Sequence, residues 1–127
     1  AEANRPIGVY VEMDLGMHRV GTPDAANAIA IAREAKAHAP LEFAGLAFYP
    51  GHVRDAVANQ SDKLAELDAS LREIVGAFDR AGLHPPVVSG GSTPTMWRTH
   101  EMPSVTEMRP PFGVNLTALA NRLVNTC

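Results

Sequence analysis

Ile7-Gly8-Val9-Tyr10-Val11-Glu12-Met13 is apolar at nearly every position and rich in β-branched and aromatic side chains. Continuous rather than alternating apolarity marks a strand covered on both faces, the pattern of a parallel sheet. The stretch runs into Asp14-Leu15-Gly16-Met17-His18-Arg19-Val20-Gly21, a polar loop with two glycines. Thr22-Pro23-Asp24 then predicts a helix start: an N-cap, a proline at the first helical position and an acid near the positive end of the dipole. The helix runs to about His38, and Ala39-Pro40 stops it.

The same unit recurs. Leu41 to Tyr49 is a second buried-looking strand, closed by Pro50-Gly51-His52. A helix is predicted from about Ser61 to Ala81, where Leu64, Leu67, Leu71, Ile74, Val75 and Phe78 form one apolar stripe, and Gly82 stands as its C′ residue. A third strand, 86–89, leads into Gly90-Gly91-Ser92-Thr93-Pro94-Thr95. A fourth, 104–108, ends at Arg109-Pro110-Pro111. Residues 111–127 carry a weak helical pattern and form a divergent tail. Strand alternating with helix at this spacing predicts α/β architecture with about four parallel strands.

Composition narrows the function classes. The chain has 127 residues, 46% of them hydrophobic and 20% charged, as in an ordinary soluble globular protein. A full (β/α)8 barrel takes about 250 residues, so four strands are half a barrel or a small open sheet. A net charge of −3 gives no reason to expect nucleic acid or an anionic membrane as partner. No stretch approaches the roughly 20 apolar residues of a membrane span, and residues 1–6 lack the pattern of a signal peptide. The one cysteine, Cys127, cannot form an intrachain disulfide. A cytoplasmic setting is the expectation.

Polar and glycine-rich residues cluster after the strands, where parallel α/β folds bind ligands. Ser89-Gly90-Gly91-Ser92-Thr93 is the sharpest cluster. Its glycines let backbone N–H groups approach an anion, and its hydroxyls can donate to phosphate oxygens. It is neither a Walker A loop nor a dinucleotide fingerprint, and a flexible strand-to-helix turn is the alternative. Arg19 is a planar anion partner, against an exposed arginine with no ligand. Tyr49 and His52 could move protons, or serve packing alone. Glu107 and Arg109 lie two apart on a strand, where a surface ion pair would explain both. The five histidines show no metal-ligand spacing, and no G-x-S-x-G elbow places a nucleophilic serine.

Taken together, VEMDLGMHRVG (11–21), GLAFYPGH (45–52), VVSGGSTPT (87–95) and VTEMRP (105–110) resemble the D-threonine aldolase and D-serine dehydratase family. These are pyridoxal-phosphate enzymes of the alanine racemase fold type, with a (β/α)8 barrel and a β domain. The resemblance spans about residues 5–110 and implies a partial barrel of the alanine racemase N-terminal type over 1–110. It implies that Ser89, Gly90, Gly91, Ser92 and Thr93 hold the phosphate of pyridoxal 5′-phosphate. Arg19 then lies beside the cofactor ring and its phenolic oxygen, Tyr49 and His52 line the ring and substrate side, and Arg109 matches a position facing the pyridine nitrogen in the racemases.

The departures matter equally. The family's Schiff-base lysine follows its first barrel strand, but the only lysines here, Lys36 and Lys63, fall on predicted helices. The β domain with the divalent-metal ligands of the aldolases is also missing, and the sequence after Pro110 departs from the family, as in a truncated or frame-shifted reading. The expectation is a fragment of a lyase acting on small D-hydroxy amino acids, inactive alone. The alternative is a non-catalytic module that binds phosphate or pyridoxal phosphate. Two copies could also pair as a homo-oligomer, completing eight strands.

Overall fold

The computed structural model describes residues 5–92 and 94–109. Thr93 and the expected divergent tail, 111–127, lie outside them. Four parallel strands, β1 (Ile7–Met13), β2 (Leu41–Phe48), β3 (Val87–Gly90) and β4 (Glu107–Met108), form one sheet in the order β1-β2-β3-β4. Helix α1 (Ala25–Ala37) joins the first pair, and α2 (Ser61–Arg80) joins the second and third strands. Sequential order with no reversal is the winding of a barrel; a doubly wound sheet reverses and puts helices on both faces. The sheet is unclosed, which makes it a partial barrel of four parallel strands, as the sequence predicts.

The core lies between the sheet and its helices. Leu64, Leu67, Leu71, Ile74 and Phe78 of α2 are buried against Val11, Met13, Leu46, Phe48 and Val88 of the strands. Phe78 stacks on Phe43 with ring centroids 5.4 Å apart. Helix α1 fully buries only small residues, Ala28, Ala32 and Ala35, with Ile29 packed partly against the core, so it can lie close to the sheet. The opposite face carries Tyr10, 43% exposed, and one cross-strand row of register partners: Glu12, Ala47, Ser89 and Glu107.

One bulge shapes the sheet. Val9 pairs with Phe43 but Tyr10 with Gly45, so Ala44 is the extra residue. Gly45 has φ +151°, and a Cβ there would sit 2.1 Å from the Val87 carbonyl oxygen. Only glycine meets both conditions.

Three boundaries differ from the sequence reading. Helix α1 begins at Ala25 with Asp24 as N-cap, its carboxylate accepting the Asn27 N–H at 2.7 Å. Thr22 cannot cap because its backbone pairs beside β1, donating to Glu12 O and accepting from Asp14 N. Strand β4 covers two residues rather than five. The Thr106 hydroxyl takes the Val88 N–H at 2.8 Å, and Val105 N turns back to Met102 O. Strand β3 is shifted one residue later than expected. Helix α2 ends as expected at Gly82, with the Leu83 N–H reaching Phe78 O.

Candidate cofactor site at the carboxyl ends of the strands

The loop after β1 is folded on Asp14. Its Oδ1 accepts the N–H groups of Gly16 and His18, each at 3.0 Å, an Asx-type turn that a short acceptor side chain favours. These donations, His18 first and then Gly16, hold the Asp14 carboxyl below the usual carboxylate range. His18 has φ +55° and its imidazole stays with Asp14, 3.5 Å from Oδ2. The next residue, Arg19, is thereby turned over the β2 end, with its guanidinium carbon 4.9 Å from the Tyr49 ring centroid. That is a cation–π contact.

Arg109 ties the other strands to the same rim. Its Nη2 donates to the Phe48 carbonyl at 2.6 Å, and its backbone N–H donates to Gly90 O at 3.1 Å. Phe48 precedes Tyr49, so Arg19, Tyr49, Arg109 and Gly90 form a continuous rim across the loops after β1, β2, β4 and β3. Two guanidinium groups give this edge positive charge. Glu107 and Arg109 do not share an ion pair: the carboxylate Oε1 of Glu107 accepts the Ser89 hydroxyl at 2.7 Å, while Arg109 serves the Phe48 carbonyl.

The glycine turn between them has φ +135° at Gly91, where a Cβ would come within 3.3 Å of Arg109 O. Its neighbours are partly committed. Ser89 Oγ donates inward to Glu107, the Ser92 N–H meets Thr95 Oγ1 at 3.2 Å, and the two hydroxyls of Ser92 and Thr95 are 2.9 Å apart. Thr99 closes the turn by donating to Thr95 O at 2.8 Å. The side-chain hydroxyls around Gly91 are therefore engaged within the protein.

His52 stands apart from this rim. Its ring lies against Gly16, and it lines a 260 Å³ cavity with Leu15, Lys63, Glu66, Leu67 and Ser70, on the α2 side. Its Nδ1 is buried without a hydrogen-bond partner among the described residues. Both lysines are on helices, as expected. Lys36 is in the last turn of α1, bordering cavities with Leu41 and Glu42 where β2 begins. Lys63, in the first turn of α2, pairs with Asp55 at 2.7 Å. Among the described residues, no three His, Cys, Asp or Glu side chains gather as a metal site, and no helix is long and apolar enough to cross a membrane.

Sequence reasoning missed Gln60, Asp68 and Thr99, all buried polar residues. Each acts through backbone groups more than 30 residues away or within an irregular turn, so no periodicity or motif marks it.

A singly wound parallel sheet with a polar, glycine-turned rim at its carboxyl ends is part of a (β/α) barrel. Residues 1–116 match the alanine racemase N-terminal domain, and the chain belongs to that family. It is 35% identical over 89 residues to the 3-hydroxy-D-aspartate aldolase of Paracoccus denitrificans (strain Pd 1222), covering 68% of this chain and 23% of that protein. Among solved structures it is similar to D-threo-3-hydroxyaspartate dehydratase from Delftia sp. HT23, at 27% identity, TM-score 0.70, and coverage of 94% of this chain and 32% of that one. It shares the fold of D-threonine aldolase from Filomicrobium marinum, at 22% identity, TM-score 0.75, and coverage of 84% and 29%. The chain thus spans less than a third of the length of these relatives. By name, these relatives are aldolases and a dehydratase of D-threonine or D-3-hydroxyaspartate.

Proposed function

We propose that this chain is the phosphate-side part of a pyridoxal-phosphate barrel serving aldol cleavage or dehydration of D-hydroxy amino acids, the class that includes D-threonine and D-serine. The observation that carries it is the rim itself: Arg19 on Tyr49, and Arg109 bridging Phe48 and Gly90, around a positive-φ glycine turn. The residues fit the cofactor. The positive-φ Gly91 turn lies at the carboxyl end of β3 beside Arg109, and the two arginines would offset the charge of a phosphate and a phenolate. When bound, pyridoxal phosphate supplies an electron sink for carbanion chemistry.

The chain's own residues would then act as follows. The segment from Ser89 to Thr93 would hold the phosphate. Arg19 lies against the phenolic side, fixed by Tyr49. Arg109 is held at the rim by two carbonyls and faces the ring. Tyr49 lines the substrate side and can hold or pass a proton through its hydroxyl. His52 opens toward α2, so we assign it no step on the rim. Neither Lys36 nor Lys63 reaches the rim, and the lysine that anchors the cofactor must come from elsewhere. The chain by itself is therefore inactive. Metal ligands, where the reaction uses a metal, must also come from elsewhere.

The test is a calorimetric titration with pyridoxamine 5′-phosphate, which lacks the aldehyde and so does not react with surface lysines. Saturable binding, lost in Gly91→Val, is expected; no heat in the wild-type chain would overturn the reading. Aldehyde or ketoacid release from D-threonine or D-serine, abolished by replacing Lys36 or Lys63, would contradict the assignment of inactivity.

A further inference from the structure

The connection from β3 to β4 differs from the other two. Among the described residues of 91–106 there is no α-helix, only turns and one 3₁₀ turn over Thr99–Glu101. A βα unit normally presses its loop into place through the helix's apolar face. Here the loop is fastened to α2 by polar side chains. Gln60, fully buried immediately before α2, donates from Nε2 to Asp55 O at 2.8 Å and to Pro94 O at 2.7 Å. Arg98 donates to the Ser61 hydroxyl at 2.8 Å, and the Ser104 N–H donates to Asp68 Oδ1 at 2.9 Å.

Of these three fastenings, Gln60 reaches the glycine turn itself. Pro94 has no N–H, so its carbonyl is the one main-chain hydrogen-bonding group it offers. That carbonyl lies between Ser92 and Thr95, whose hydroxyls form the closed side of the turn. Both donors of one amide are aimed at two loops, the segment after β2 and the turn after β3. A buried side chain holding two backbone carbonyls fixes the distance between those loops. Removing it would leave both acceptors without their buried donor.

We propose that Gln60 is a positioning residue for phosphate recognition: through the Pro94 carbonyl its amide sets the height of the segment that follows the Gly91 turn. The proposal rests on the phosphate reading given above. It assigns the specificity for a phosphorylated over an unphosphorylated pyridine ligand in part to a residue outside the glycine turn.

The test compares pyridoxamine 5′-phosphate with pyridoxamine by calorimetry in the wild-type chain, Gln60→Met and Gln60→Glu. Methionine keeps the volume and glutamate keeps the shape; neither donates to the two carbonyls at neutral pH. The expected result is a tenfold or greater loss of affinity for the phosphorylated ligand in both variants, with pyridoxamine affinity unchanged. Amide exchange would quicken over 91–99 and stay slow in α2. Retained preference for the phosphorylated ligand in either folded variant overturns the role of Gln60. So does equal weakening for both ligands, which marks a merely structural residue. A wild-type chain that does not distinguish the two ligands instead removes the phosphate reading itself, and this inference with it.

Discussion

Helix α2 and the β3–β4 connection lie against one another, and they are held by opposite means. The helix is fixed by a stripe of five buried apolar residues, ending in Phe78 stacked on Phe43. The connection buries one apolar residue, Met102, in the core and otherwise relies on single polar bonds to Gln60, Ser61 and Asp68. Apolar burial is non-directional and spreads its free energy over many contacts. A polar fastening places one backbone atom within a few tenths of an ångström, and it fails at once when one partner is lost. The rim needs placement, while the helix needs only adhesion. That division explains why the glycine turn is tied to the helix by Gln60 while Met102 further along the connection packs into the core.

The sharpest way to break the apolar side is Phe78→Ala. Phe78 is fully buried, and such truncations cost about 3–5 kcal/mol. Thermal melting should drop by many degrees, with sheet and helices lost together. A loss of under 1 kcal/mol would show that the stripe does not hold the fold.

The polar side is tested by Asp68→Leu, which leaves the Ser104 N–H without its acceptor. The expected cost is about 1–3 kcal/mol, with amide exchange accelerated over 102–106 and the β1–β2 pair unaffected. Uniform acceleration across the sheet would mean that the connection is not separately held.

Acid should loosen the β1 loop. The folded Asp14 carboxyl is depressed by the His18 and Gly16 N–H groups, so its contribution is complete above the unfolded carboxylate value and is lost as pH falls through the folded one. Loop protection factors, which remove the intrinsic pH dependence of exchange, should therefore be constant from pH 7 to 5 and fall below about pH 4. In Asp14→Ala they should be low throughout, with the acid step gone. An acid step of the same size in that variant would contradict the assignment.

The smallest effect is expected at Arg19→Met. An exposed cation–π contact contributes about 0.5–1 kcal/mol, so stability should barely move while affinity for a phosphorylated pyridine falls. A large stability loss would recast Arg19 as structural.

Legibility in the sequence follows the same division. The apolar runs at Ile7–Met13 and Leu41–Phe48 and the α2 stripe were readable because burial imposes a period or a continuous run. Gly91 is readable as a turn because its φ of +135° is a conformation that glycine favours, whereas Gly90 is the last residue of β3. The winding direction was not, since strand order is a property of the sheet. The start of α1 was misplaced because Thr22 is drawn into pairing with β1, a long-range effect that no local cap rule contains. The roles of Ser89 and Glu107 were hidden because their bond joins adjacent strands across 18 residues. His52 reads in sequence as part of the rim loop, yet Gly16 and α2 surround it.

The central claim, that the rim receives a phosphate, is tested most directly by the phosphorus resonance of pyridoxamine 5′-phosphate titrated with the chain. A saturable shift and broadening, absent with Gly91→Val and with pyridoxamine as ligand control in calorimetry, is predicted. A phosphorus signal unchanged up to millimolar protein, or shifted equally by Gly91→Val, would contradict it.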